Sequence, residues 1–568
     1  MAYSPYMKRL SLVFVCTLLV TSLLAVQNAS AGRVIDPKTE NLGLLFTENM
    51  EVTSMTSVIY GRSDSSSDLN FKICKTVTDS VCTAATEIMI IQFFAPCEKS
   101  SDTNCIEDVW ARDASGSKVI GTYQRHLPSS GTADFPAEPR MNLPASKGSG
   151  FVVKIPGVTH KGQSDEYLVA LRNQTTVFKK AGEIATTQTI GVQGLVGAIT
   201  PFEIVKGAFR SVRVVDGYGS DGGERTTAGG DSCFATEDGI CAATRDFAPN
   251  YRFGLSMRLS QRLSGWFHGR IASPVITTSA KDNSANISIE ATPVRVATLD
   301  FVAPISEVNQ EAKAMIFNGE EWGVSGGVQG TKIVTGLDEE RAQTLLKLFT
   351  PNFKDRATRT NEYWTFKTLS GFRDDSIYRC SKDSGALAGV VTTNSLLYSA
   401  GPPTFNSAES SLDYKVSAPH FESSGIEALG TYDLLLRSDV ARCIYGFTDA
   451  PIKASLEILG IDGTTKVATT VINEKDGWLT MSASGFGFSA PIVRAKLSQE
   501  KTVNNPVTQA SPSPTTSANA VVTPAPTSTQ GTSASKSKAK KTITCTKSGS
   551  RKKVTAMNPK CPQGWKKA

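Results

Sequence analysis

The chain is predicted to be mainly β: a multidomain body of β-sandwich-like domains with one short helix near residues 337–349, then a disordered linker and a small disulfide-stapled C-terminal ribbon. Three observations predict this. Apolar residues recur with period two, as where Tyr251, Phe253, Leu255, Met257 and Leu259 alternate with Arg252, Gly254, Ser256, Arg258 and Ser260, the pattern of a strand with one buried and one wet face. Six cysteines form three C-x7-C pairs, Cys74/Cys82, Cys97/Cys105 and Cys233/Cys241, which read as stapled loops of an oxidising compartment rather than a metal site. The stretch from Val503 to Ser535 holds Pro, Thr, Ser and Ala with no charge and no aromatic residue, so it cannot bury enough surface to fold.

Residues 1–31 read as a secretory signal. Lys8 and Arg9 give the positive start, Leu10 to Val26 the apolar stretch and Ala29-Ser30-Ala31 the cleavage site, with cleavage expected after Ala31 and retention as an N-terminal anchor as the alternative. Beyond the signal no run has the ~18 apolar residues of a membrane-spanning helix, so no transmembrane segment is expected after cleavage. Cys16 leaves with the signal and ten cysteines remain. Beside the three C-x7-C pairs, Cys545 and Cys561 are the two in the tail, which leaves Cys380 and Cys443 for each other. Loop entropy predicts roughly 2.5 kcal/mol for each short loop, roughly 3 for the tail loop and roughly 4 for Cys380 to Cys443.

Roughly 470 residues lie between signal and linker, too many for a single core. The expected division is a β domain over 32–206, a second over 207–335, a helical connection over 336–360 and a third β domain over 361–498. The linker takes 499–541 and the basic tail module 542–568. Within the first segment, Ile88 to Phe94 is a continuous apolar run, as in a strand covered on both faces. The helix is predicted from Ala342, Leu345, Leu346 and Phe349 at i, i+3, i+4 and i+7, with Thr335 and Asp338 as a capping box and Thr350-Pro351 as the stop.

Charge is divided between body and tail. Eleven Lys and Arg and no acid occupy the last 33 residues. With these and the two signal charges set aside, 47 basic residues face 53 acidic ones, so the net +7 of the chain conceals a body near −6. Lys547, Arg551, Lys552, Lys553, Lys560, Lys566 and Lys567 are the expected polyanion-binding residues. Anionic cell-envelope polymers are their expected partner, and export argues against nucleic acid as the physiological one.

No motif names a catalytic residue, and none calls for a metal or a cofactor. His126, His160, His268 and His420 are scattered without H-E-x-x-H or H-x-H spacing, and no G-x-S-x-G elbow is present. The Asp216 to Glu224 loop and the pair Asp64 and Asp68 lack the order of a calcium loop. Gly265-Trp266-Phe267-His268-Gly269-Arg270 admits two readings: Trp266, His268 and Arg270 stack on a sugar or planar group, or Trp266 fills the core at a strand end.

Thr542-Ile543-Thr544-Cys545, Lys552-Lys553-Val554-Thr555 and Pro559-Lys560-Cys561-Pro562 together resemble a short two-Cys C-terminal module of exported actinobacterial proteins. Tyr414-Lys415-Val416, Ala418-Pro419-His420, Arg437 to Cys443, Glu474 to Leu479 and the Gly265 to Arg270 stretch resemble uncharacterised secreted proteins of the same bacteria, over about half of the mature chain. The resemblance implies an extracytoplasmic location and this architecture, and it transfers no catalytic residue. The expected function is therefore non-enzymatic: a secreted or envelope-associated β protein of structural, adhesive or binding role, with the tail as electrostatic tether. Two alternatives stay open. One is a secreted carbohydrate-active enzyme with hidden carboxylate pairs and Trp266, Trp322, Trp364 or Trp478 as sugar platforms; the other is an extracellular protein that captures small ligands in an enclosed apolar pocket.

Overall fold

A computed structural model describes residues 39–48, 56–63, 70–187, 190–217, 219–221, 233–281, 284–318, 324–326, 331–334, 339–369, 375–381, 386–459, 465–466, 469–488, 492–499, 541–547, 550–556, 561 and 566–567. Strand makes up 54% of it and helix 12%, so the chain is mainly β. The expected signal, most of the linker, the Thr335/Asp338 capping box and the Asp64/Asp68 pair lie outside the described residues.

The strand Glu166–Phe178 organises the main sheet. One edge pairs antiparallel with Ile190–Lys206, from Tyr167↔Pro201 to Val177↔Ile190; the other pairs with Phe151–Lys154 and then with Glu87–Phe93. Beyond Ile190–Lys206 the sheet continues through Thr365–Thr368 to the first half of Gly265–Lys281, then through Leu387–Thr393 and Leu429–Arg437 to Trp478–Gly487. The Gly265–Leu387 pairing is parallel and joins residues far apart in sequence.

A second layer packs on this sheet. It consists of Cys105–Asp113, Tyr251–Leu259, the first half of Ser284–Pro304 and the second half of Gly265–Lys281. The strand Gly265–Lys281 passes from one layer to the other at a register shift between Ala272 and Val275, the kind of irregularity that turns sandwich corners. Val169, Leu171 and Phe366 from the main sheet and Leu255, Met257 and Ile289 from the second share one core. Because period two puts Phe253, Leu255, Met257 and Leu259 on one face, a single strand supplies four buried side chains to that core. In Glu87–Phe93, Ile88 and Ile90 enter one core while Met89, Ile91 and Phe93 enter another, so the run is covered on both faces. A third sheet, built around Ser411–Ser417, Ile492–Gln499 and Ile452–Leu459, covers the other face of the main sheet together with helices.

The predicted helix is present as Glu339–Phe353, with Ala342, Leu345, Leu346 and Phe349 buried. Its end differs from the expected stop: Pro351 lies inside the last turn. Thr350 donates its hydroxyl to the Leu346 carbonyl at 2.9 Å, and the helix ends where Lys354 and Asp355 adopt φ of 54° and 56°. Four further α-helices occur among the described residues. Two of them, Asp375–Ser381 and Ser438–Tyr445, are joined by Cys380–Cys443. The three short pairs Cys74–Cys82, Cys97–Cys105 and Cys233–Cys241 are also disulfides.

The three β segments of the sequence division share sheets. Val196 pairs with Lys367, Trp266 with Gly389 and Val294 with Tyr363. The chain to Lys501 is accordingly one compact unit, and Thr502 to Ala568 is a second. The tail unit is a small three-stranded sheet in which Lys541–Lys547 lies between Ser550–Ala556 and the short Lys566–Lys567. Cys561 is disulfide-bonded, while the side chain of Cys545 lies outside the described residues.

Candidate functional site

Trp266, His268 and Arg270 are brought to one face of the main sheet, but in its interior. The Gly265–Lys281 strand is flanked on both edges, and successive side chains point to opposite covered faces. The three are 1%, 2% and 1% exposed. Trp266 lies flat on Gly389, where a Cβ would come within 2.2 Å of the ring, so a glycine is required for this packing. No ring face is left for a sugar, and Trp266 belongs to the core.

Arg270 is held by Glu48 at 2.5 Å and by the carbonyls of Thr393 at 3.1 Å and Ser395 at 2.5 Å, with its guanidinium 4.3 Å from the Tyr398 ring centroid. Burial works against its charge, and the Glu48 carboxylate more than offsets this, so its pKa is raised. His268 stacks on Tyr398 at 3.9 Å and 2°, and its Nε2 has no hydrogen-bond partner among the described residues. Burial first, then the positive charges of Arg270 and Lys367, push His268 well below the ordinary imidazole value. A neutral histidine and a paired arginine sandwiching one tyrosine form a closed polar knot that ties Glu48 to the sheet.

The other histidines are equally separate. His160 accepts from the Gly162 amide at 2.9 Å through Nδ1 and contacts the Glu166 carbonyl at 3.0 Å through Nε2, which fixes a neutral tautomer against Tyr167. His420 pairs with Asp355 at 2.5 Å. Asp216 accepts from the Ile73 amide at 2.9 Å, while Gly222 to Asp231 lie outside the described residues. Among the described residues no group of three His, Cys, Asp or Glu is placed to hold a metal. Trp364 is fully buried and donates to the Ala291 carbonyl at 3.2 Å, Trp478 is partly buried against the same core, and Trp322 lies outside the described residues.

Two carboxylates do converge, unforeseen from sequence because they lie on segments far apart. Asp246 and Glu362 contact the same Arg295 nitrogen at 2.8 and 3.1 Å. Burial and the Asp246 charge raise the Glu362 pKa. The guanidinium occupies the space between them, and Glu362 also accepts from the Phe247 amide at 2.7 Å, which makes this a clamp rather than an open acid pair.

In the tail, backbone register places the basic residues on both edge strands. Arg551 is opposite Thr546, which is opposite Lys566; Lys552 is opposite Cys545, which is opposite Lys567; Lys553 is opposite Thr544. Lys547 ends the central strand, and Lys560 lies outside the described residues. A further surface concavity of about 540 Å³ is lined by Tyr123, Arg125, His126, Ile204 and Glu237, of which only His126 stands out in the sequence, as one of four scattered histidines. No helix among the described residues is long and apolar enough to cross a membrane. Comparison with known protein families, with curated proteins and with solved structures finds no match.

Proposed function

We propose that this protein is a non-enzymatic, exported β scaffold held at the cell envelope by its basic tail. The observation that carries the reading is the charge division: eleven cations and no acid in the last 33 residues, against a body with an excess of acid. The tail strands support it, since five of the cations stand on the two edge strands of one small sheet. Charges presented that way attract a polyanion through long-range, salt-screened forces, and an exported protein meets such polymers in wall phosphates and anionic headgroups. The four disulfides of the body are consistent with an oxidising destination.

The test is sedimentation of the mature protein with washed cell envelopes, full length against a chain ending at Ser535, over a salt series. Full-length protein is expected to sediment at low salt and to be released at an ionic strength of about 0.5 M, with the truncated chain remaining in the supernatant throughout. Equal sedimentation of both chains refutes the tether.

A further inference from the structure

We propose that the groove beside the strand Thr122–His126 is a binding site for a neutral glycan. Four of the five residues of this strand are exposed, yet one of them is aromatic: Tyr123 is 48% exposed. The opposite wall belongs to Ile190–Lys206, where Ile204 is 38% exposed. Two exposed apolar side chains therefore line one concavity of about 540 Å³, a size that suits a small-molecule site.

The groove is built to hold its shape. Strand Thr122–His126 pairs with Phe151–Lys154 through a register shift between Tyr123 and Arg125, so Gln124 is the extra residue of a bulge. Bulges re-aim neighbouring side chains, and here the Tyr123 ring is braced by Phe151 at 5.9 Å and by His126 at 5.7 Å. The hairpin Cys233–Glu237 and Ile240–Thr244, closed by Cys233–Cys241, continues the Ile204 wall, because strand pairing joins it to Ile190–Lys206. Glu237 spans the groove's end by accepting from the Ser129 amide.

Its chemistry selects the ligand. Among the lining residues one cation, Arg125, is matched in number by one anion, Glu237, and Arg125 is further neutralised by Glu166 at 3.0 Å. An ionic ligand thus gains no net attraction. The Tyr123 hydroxyl and His126 Nε2 take no hydrogen bond among the described residues, while His126 Nδ1 is engaged by the Gly150 carbonyl at 3.2 Å. A half-exposed tyrosine ring with free donors and acceptors around it matches a sugar ring, which presents C–H faces and equatorial hydroxyls. An extended peptide fits less well, since the bulge interrupts the regular backbone spacing that strand addition requires.

The test uses saturation-transfer NMR and calorimetry on the mature full-length protein with cellohexaose, chitohexaose, maltohexaose and an α-linked mannohexaose. At least one is expected to bind with a Kd of about 1 mM or tighter. Tyr123→Ala and Ile204→Arg, substitutions at exposed positions on the two walls, are each expected to weaken it at least about tenfold, and Tyr123→Phe to stay within about threefold. The proposal is overturned if none of the four binds up to about 10 mM, or if binding survives both wall substitutions. Envelope sedimentation through the tail is unaffected by these substitutions, so the two proposals fail separately.

Discussion

At the scale of single residues, His268 shows how much of a side chain's meaning lies in its surroundings. A histidine between two glycines and two aromatics was open to either a ligand or a packing role, because sequence gives the neighbours along the chain and not those across it. Pairing puts Lys367 directly opposite His268, Arg270 shares its face, and Tyr398 arrives from a strand about 130 residues away to cover the ring. The depressed pKa has a definite consequence for stability. The unfolded chain takes up a proton near pH 6.5 and the folded chain resists it, so stability is full above that value and falls as pH drops below it, by up to about 1.4 kcal/mol per pH unit. His268→Phe keeps the stack on Tyr398 and removes the proton site. Urea midpoints at pH 7 and pH 5 should therefore drop less in the variant than in the parent chain; an equal drop would mean that His268 is protonated in the fold.

At the scale of elements, what was legible was local. The alternation over Tyr251–Leu259, the covered run Ile88 to Phe94 and the apolar face of Glu339–Phe353 each lie within one strand or helix and depend only on its own period. The helix end was not legible, because a proline in the last turn loses a single hydrogen bond, whereas the actual stop comes at Lys354 and Asp355 with positive φ, where Asp355 is met by His420, 65 residues on. The disulfides were legible by spacing for the short loops and by remainder for Cys380–Cys443, and they differ in what they restrain. Cys380–Cys443 closes a loop of 63 residues and joins two helices, whereas Cys233–Cys241 closes a hairpin that its own strand pairing already holds. Replacing Cys380 and Cys443 by alanine should lower stability by about 4 kcal/mol, against about 2.5 for Cys233 and Cys241. Differential scanning calorimetry of the two double variants checks the order, and a larger fall in Tm for the Cys233/Cys241 variant would reverse it.

At the scale of the whole molecule, composition foretold the division of charge but periodicity could not foretell the division of the fold. Boundaries placed at changes of pattern separated segments that strand pairing then joins, since Gly265–Lys281 and Ser284–Pro304 each contribute to two layers and pair with segments on either side of the supposed borders. Non-local pairing carries no signature within the strand that makes it. Charge, by contrast, adds up wherever the residues fall, so its whole-molecule consequence can be computed without the fold. Once Lys8 and Arg9 are gone, the mature chain carries a formal +5, and removal of the last 33 residues takes this to about −6. At pH 7 and low salt the mature protein should bind a cation exchanger through its tail, and the chain ending at Ser535 should pass through it and bind an anion exchanger instead. If both chains bind the cation exchanger, the body presents a cationic surface of its own, and the tail is not what gives this molecule its affinity for anions.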